Sequence, residues 1–422
     1  MSSADTRSGR TPTTGPQAAL APGGRAARLS LVGLFLGAFA VGTDGFMIAG
    51  LLPRIAQEFH TSTPIAAQLV TVFSIGYAVG APVLASIFHR VDRRTLLGAG
   101  LAVLAVTNAL AALTPDLGVL FVARIGAALA AGVYSPTAAV VAAGLARPQR
   151  RGRAMSVITA GLTLSIVTGV PLGNLVGAQW GWRATFAGVA VLTAVLAVGL
   201  WLILPRIAAG ASTGLRQRVA ALRRPGVGRV LLTTLLGILA GYLAYTYVAP
   251  VSQAMGATGA AALPIVLVCF GIGAAIGSTM AGFGVDRYGQ TLVVRSGALI
   301  QALALIFLTI GDAIGARIGV LPAAVAFALL GIGSWTYNAP QQHRLVELAP
   351  QSATIVVSLN SSAIYAGIGL SGAIGAATSA AGPAFVPGGG PALTCLTGLV
   401  VAIATVVVVG RRRRPRTDAD AS

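Results

Sequence analysis

LSLVGLFLGAFAVGTDGFMIAGLLP, residues 29–53, is apolar, long enough to cross a bilayer, and carries one charge, Asp44. A spanning helix needs roughly 20 such residues. Placing a carboxylate inside one costs about 2.5–3.5 kcal/mol on insertion scales, so it is kept where it faces a cavity or a partner. The chain has ten acidic residues, and the other nine fall in the tails or in or near the expected loops. Asp44 is therefore the natural proton carrier. The alternative is a satisfied structural acid that fixes helix packing.

The rest of the chain agrees with a membrane setting. Of 422 residues, 55% are hydrophobic and 9% charged, with mean hydropathy +0.84, which excludes a soluble domain. The 55 glycines suit helices packed through small faces. All 29 basic residues are arginines, and they cluster between apolar runs as cytoplasmic anchors do, not in a nucleic-acid patch. Cys269 and Cys395 lie in apolar runs without metal or redox spacing and read as packing residues. His60, His89 and His343 are scattered, so no metal site is expected. No phosphate-binding loop exists without a lysine, and no catalytic constellation appears; neither an enzyme nor a cofactor is expected.

Runs bounded by charge or Gly/Pro number twelve, at about 29–51, 66–88, 95–114, 117–143, 154–177, 183–204, 229–250, 259–283, 291–311, 317–339, 352–378 and 391–410. With the N-terminus inside, 25 of the 29 arginines fall on inner segments, among them Arg7, Arg10 and Arg411–Arg414. Only Arg54, Arg183 and Arg317 fall outside, and Arg124 lies within a span. This asymmetry puts both termini in the cytoplasm. Residues 1–28 read as a disordered cytoplasmic tail, not a signal peptide, and 411–422 as a basic tail. The arginine-rich segment 205–228 reads as a linker between two six-helix halves, 29–204 and 229–410.

The halves repeat. Ala85–Arg94 follows the second run, and a similar stretch, Gly282–Gln290, follows the eighth. Gly282 follows Ala85, and Pro250 follows Pro53, by the same 197 positions (282 − 85 and 250 − 53). Two landmarks at one offset indicate duplication with parallel halves.

These residues resemble the major facilitator superfamily, and its drug:proton antiporter branch in particular, over about residues 29–410. The family's loop signature, Gly-x-x-x-Asp-Arg-x-Gly-Arg/Lys-Arg/Lys, is kept in the second half as Gly282, Asp286, Arg287 and Gly289. The first half departs, with Ala85, His89 and Asp92 at signature positions, but retains Arg90, Arg93 and Arg94. The stretch Gly42–Pro53 is similar to the first helix of bacterial sugar-efflux and chloramphenicol-resistance exporters, with Gly45 where those often carry a second acid. Arg124 matches the arginine of the family's fourth helix. Gly161, Gly169, Pro171 and Gly173 resemble the antiporter motif of the fifth, with Val170 splitting the Gly-Pro pair.

The resemblance implies twelve helices in two pseudo-symmetric bundles, with helices one and four side by side. Counting 1.5 Å per residue, Asp44 and Arg124 lie at the same depth, about 10–12 Å below the outer boundary, so they can pair. Arginine beside Asp44 favours its charged form; separation lets it load a proton. A static structural pair is the alternative. The loop residues His89, Arg90, Arg93, Arg94, Asp286 and Arg287 are implied gate residues, with Asp286 expected at a helix N-terminus, where the dipole favours an acid. Histidine is the residue type suited to a switch near neutral pH, so His89 either tunes that gate or is an ordinary loop residue. The glycines and Pro171 offer either a hinge or plain small-residue packing. Spans one, four, seven and ten supply Met47, Tyr134, Tyr242, Tyr245, Trp335 and Asn338 as substrate contacts, although such residues serve equally at helix interfaces.

The expectation is a monomeric secondary transporter of a bacterial cytoplasmic membrane, exporting a small, neutral or weakly polar organic compound in exchange for protons. Proton-coupled uptake and a non-transporting sensor or scaffold are the open alternatives.

Overall fold

Proline placement explains where these helices break. The computed structural model of the protein describes residues 25–207, 215–314, 318–386 and 389–410. Among these residues, twelve helices are long and apolar enough to cross a membrane: α1 Ala26–Glu58, α2 Thr63–Arg90, α3 Arg93–Leu113, α4 Leu117–Gly144, α5 Arg151–Trp180, α6 Trp182–Ile203, α7 Val227–Thr246, α8 Ala262–Tyr288, α9 Gln290–Ala313, α10 Val320–Leu348, α11 Ile355–Gly382 and α12 Gly390–Val409. Pro250 cannot donate to the carbonyl four residues back, and the chain turns at Tyr247 before resuming as Val248–Ala254. Pro340 does the same to α10, which parts into Val320–Trp335 and Asn338–Leu348. In α5 the turn before Pro171 widens to a π-helix over Ser165–Gly169.

Twelve spans stand where twelve were expected, with shifted ends. α1 continues through Pro53 to Glu58, and its helix begins at Arg25, inside the segment read as a disordered tail. The segment read as a linker contains a helix, Leu215–Leu222, and α7 begins inside it. The remainder of both tails, including Arg7, Arg10 and the terminal arginine run, lies outside the described residues, as do Arg317 and the middle of the linker. Asp286 is not at a helix N-terminus: α8 runs through it to Tyr288 and turns at Gly289 (φ 77°) directly into α9. Loop acids that do cap are Asp116, which accepts from Val119 N–H at 2.8 Å at the start of α4, and Asp92, whose side chain accepts from Thr95 N–H at 3.0 Å at the start of α3. Partial burial works against its charge. Donation from Thr95 and from the Arg94 backbone, with Arg206 nearby, nevertheless holds its carboxyl below the usual range.

The duplication is visible in matching contacts. Tyr134 of α4 packs on Gly37 of α1, and its hydroxyl donates to Leu34 O (3.0 Å). Tyr337 of α10 packs on Gly237 of α7 in the same way. In both halves a glycine makes room for a phenol that a Cβ would strike.

Contacts between the halves gather toward the arginine-poor side. A Cβ on Gly372 or Gly369 of α11 would meet Thr71, Ala67 and Ile75 of α2. Gln68 Nε2 donates to Gly372 O (3.3 Å). The Tyr77 and Tyr365 rings stack across this seam, with centroids 3.6 Å apart and planes 20° apart. A Cβ on Gly271 of α8 would lie 2.6 Å from the Val167 backbone of α5. Further toward the arginine-rich side α2 turns to its own half, with Gly80 against Leu129 and Ala81 against Gly132 of α4. On the arginine-poor face, Glu58 pairs with Arg183 and Trp182, Arg183 donates to Thr114 O (2.6 Å) and Arg54 to Gly177 O.

Candidate functional site

Small residues on α5 seat α1 against it: a Cβ at Gly161 would lie 2.6 Å from Phe35 O, one at Gly177 2.6 Å from Leu51, and one at Gly169 would strike Thr43. That contact places Thr43 on the α5 side and turns Asp44 toward α4. Arg124 Nη1 donates to Asp44 Oδ1 at 2.9 Å and Nη2 to Asp44 O at 3.3 Å. The Asp44 and Arg124 side chains are 0% and 1% exposed. The Arg124 guanidinium lies over the Phe73 ring, 4.2 Å from its centroid, with Phe186 at 5.9 Å. Gly45 keeps space for Phe73, which a Cβ there would approach to 3.3 Å; a second acid at that position would displace the ring that covers the arginine.

The pair is incompletely satisfied. Asp44 Oδ2 and Arg124 Nε have no hydrogen-bond partner. Asn108 of α3, 1% exposed, lies against the carboxylate, but its Nδ2 donates to Leu104 O (2.9 Å) and its Oδ1 is unpartnered. Tyr365 of α11 brings a phenol from the other half within electrostatic reach of Asp44.

The structure brings together only some of the residues singled out from sequence. Asp44 and Arg124 meet. Tyr242 and Tyr245 are buried in an aromatic cluster with Phe46, Phe270 and Trp335: Tyr242 lies 5.2 Å from Tyr245 and 6.2 Å from Phe46, and Phe46 lies 6.4 Å from Trp335. Tyr245 OH donates to Phe46 O (3.5 Å), so this cluster bridges α1, α7, α8 and α10. Trp335 is half-buried, with its Nε1 unpartnered. Met47 is fully buried toward α5, where Asn174 Nδ2 donates to its carbonyl (3.1 Å). Tyr134 is the brace against Gly37, away from Asp44. Asn338 lies beyond the α10 break and accepts from Gln342 (2.7 Å).

The loop residues are spread along the arginine-rich side. His89 Nδ1 lies 2.8 Å from Ser86 O, Arg93 N–H donates to Ile207 O (3.0 Å), and Arg94 lies over the Trp201 ring at 4.6 Å. Arg90, Asp286 and Arg287 are all exposed. In α5, Gly161 and Gly169 face α1, Gly173 lies between Thr185 and Met47, and Pro171 follows the π-turn. Asn108, Phe73, Tyr77 and Tyr365 were not singled out from sequence. Asn108 had a signal, an amide alone in an apolar run; the aromatics had none, because they look like ordinary packing residues. Asp312, expected near a loop, is buried at the end of α9, and the Ala392 backbone N–H donates to it. Among the described residues no cluster of His, Cys, Asp or Glu could hold a metal.

The profile of the Major Facilitator Superfamily matches residues 34–376. The inner membrane transport protein YdhP of Escherichia coli (strain K12) is 32% identical over 390 residues, covering 92% of this chain and 97% of the relative. The uncharacterized MFS-type transporter YbcL of Bacillus subtilis is 32% identical over 338 residues, covering 78% and 85%. A chloramphenicol resistance protein of Streptomyces lividans is 37% identical over 268 residues, covering 62% and 68%. In fold, the chain is similar to a bacterial homolog of the human lysosomal transporter Spinster in an inward-facing, occupied conformation, with TM-score 0.67 at 19% identity, covering 92% of this chain and 95% of that one.

Proposed function

The chain belongs to the major facilitator superfamily and is a multi-pass membrane transporter; on that premise we propose that it exports a small organic compound in exchange for protons, with Asp44 as the proton carrier. The observation that carries this reading is the Asp44–Arg124 pair, sealed among apolar helices and short of hydrogen-bond partners. A buried ion pair is at best a weak stabiliser against an apolar substitute. A carboxylate that alternates between charged and neutral gives it a use: H⁺ on Asp44 weakens the hold on Arg124, and movement of the halves follows. The relatedness of the chloramphenicol resistance protein favours export of an organic compound. The aromatic cluster of Phe46, Tyr242, Tyr245 and Trp335 supplies an apolar, weakly polar surface suited to such a molecule. The arginine-rich side is the cytoplasmic one, both termini lie there, and the transporter works as a single chain in a bacterial cytoplasmic membrane. Arg90, Arg93, Arg94, Asp286 and Arg287 then line the cytoplasmic ends that close when the arginine-poor side opens.

The test is flux into inverted membrane vesicles across a substrate panel, driven by an imposed pH gradient. Wild-type protein is expected to accumulate at least one organic compound as protons leave, and Asp44→Asn to lose this dependence on the gradient. Accumulation by Asp44→Asn equal to wild type would remove the carboxylate from the coupling step. Substrate movement with the proton, not against it, would replace export by uptake.

A further inference from the structure

The short helix Leu215–Leu222 docks on the arginine-rich ends of α10 and α11, where its Ala221 is buried with Val227, Leu345, Ala349, Ile355 and Val356. The same docking buries Arg218, which is 7% exposed and whose Nη1 donates to Ser358 Oγ of α11 at 2.7 Å. Its Nε has no partner, and among the described residues no carboxylate pairs with it. Burial works against its charge, and a buried cation without a counter-ion is costly. The segment 205–228 holds five arginines and no acid to relieve it.

Beside Arg218, this helix and the start of α11 enclose a cavity of about 470 Å³, walled by Gln217, Ala221, Arg224, Gln351, Ser352 and Ile355. Gln217 precedes Arg218 in the chain, and Ile355 stands one turn before its partner Ser358. Arg224 is half-buried there, and the two glutamines add amide donors. The helix that carries α11 begins at Ala353, also on the wall; Ser352 makes no capping hydrogen bond and its first turn has no acid. A helix start left in that state favours an anion. We propose that the cavity holds the phosphate group of an anionic phospholipid from the adjoining leaflet. Arg224 pairs with the phosphate oxygens, Gln217 and Gln351 donate to them, and the anion supplies the negative charge that the Arg218 region lacks. The lipid, and not free phosphate, is indicated by Val219 and Leu222, which are 44% and 42% exposed beside exposed Arg216 and Arg223. An exposed apolar pair flanked by arginines is the pattern of a helix lying in a membrane interface. The bound headgroup then ties the segment joining the two halves to α11. This inference stands whether or not Asp44 carries protons.

The experiment is native mass spectrometry of the full chain in detergent micelles, titrated with phosphatidylglycerol, phosphatidylcholine or inorganic phosphate. Wild-type protein is expected to take up one phosphatidylglycerol well before phosphatidylcholine. Arg224→Gln should weaken that first binding by about fivefold or more. Gln351→Glu places a like charge on the wall at an exposed position, so folding is spared, and should weaken it comparably. Arg223→Gln removes the same charge from the same helix at a position off the wall and should change the affinity less than about twofold. Equal losses in Arg223→Gln and Arg224→Gln would overturn the site in favour of general attraction to a basic surface. Affinity unmoved by both Arg224→Gln and Gln351→Glu would overturn it as well. Binding of inorganic phosphate at this site with no preference for phosphatidylglycerol would overturn the lipid as the source of the phosphate group.

Discussion

Asp44→Asn removes one charge from a pair that has no water to fall back on. At 2.9 Å and an effective dielectric of about 20, the Arg124–Asp44 attraction is about 6 kcal/mol. Most of that offsets desolvation of the two ions, so the net worth of the pair is small. The cost of breaking it from one side is not small. Arg124 stays charged at any accessible pH, and the neutral amide leaves it buried with no counter-ion, which costs about 3–5 kcal/mol. Arg124→Met is milder, because a lone buried carboxylate can neutralise itself by taking up a proton. Its penalty therefore shrinks as the pH falls, whereas the penalty of Asp44→Asn does not. Combining the two substitutions removes both ions and returns stability close to wild type.

Reversible unfolding in mixed dodecylmaltoside–SDS micelles, followed by tryptophan fluorescence, gives the three free energies. The expected interaction energy in the double-mutant cycle is favourable by at least about 2 kcal/mol, near the upper end for contacting residues. Singles whose costs simply add in the double mutant would refute the paired, dehydrated site. So would a cost for Arg124→Met that is the same at pH 5 and pH 8.

Gly372→Val puts a side chain where Thr71 and the Ala67 carbonyl now sit. It should hold α2 and α11 apart, seen as faster maleimide labelling of a cysteine placed at Gln68 in a protein lacking Cys269 and Cys395. Tyr365→Ala removes the stack with Tyr77 and should increase the same labelling, whereas Tyr365→Phe keeps the ring and should not. Asp92→Ala removes the α3 cap and should cost about 1 kcal/mol of stability in the same unfolding assay. Because the Asp92 carboxyl is held below its usual range, its contribution is complete above about pH 4 and declines as the pH falls through the lowered folded value. Asp92→Asn, which still caps, should flatten that acid limb.

Much of this architecture was legible in the chain because the bilayer imposes length and charge rules that are read one residue at a time. Twelve apolar runs and the arginine asymmetry need no tertiary knowledge, and the Asp44–Arg124 meeting followed from equal depth plus a resemblance that placed helices one and four together. Helix ends were less legible. Asp286 looked like a loop acid because charge usually ends a span, yet Gly289 alone makes the turn and α8 continues through the acid. The partition of aromatics was illegible for a different reason. Tyr134 and Tyr242 are both buried tyrosines on spans that the family places around its cavity; only the glycine opposite Tyr134, Gly37 on another helix, makes it a brace. No periodicity within one helix carries that information.

The two halves share a plan, and the difference between them indicates where the moving part belongs. Each half places a buried amide on its third helix, Asn108 on α3 and Gln301 on α9. Gln301 is saturated: its Nε2 donates to Gly237 O and Ser334 Oγ, both at 2.9 Å, and its Oε1 accepts from Tyr337 OH at 3.1 Å. No charge enters that network, and a fully satisfied neutral network rigidifies the elements it joins. Asn108 sits beside an ion pair with one acceptor free. A change of protonation thus has somewhere to act in the N-terminal half and nowhere comparable around Gln301. In the proposed proton exchange, the C-terminal half is then the fixed partner against which the other rocks, and its reach into the site is the Tyr365 ring stacked on Tyr77. Coupling between halves should accordingly be lost by breaking that stack while Asp44 still titrates, a separation of protonation from movement that an infrared titration of the Asp44 carboxyl and the cysteine-labelling assay read independently in Tyr365→Ala.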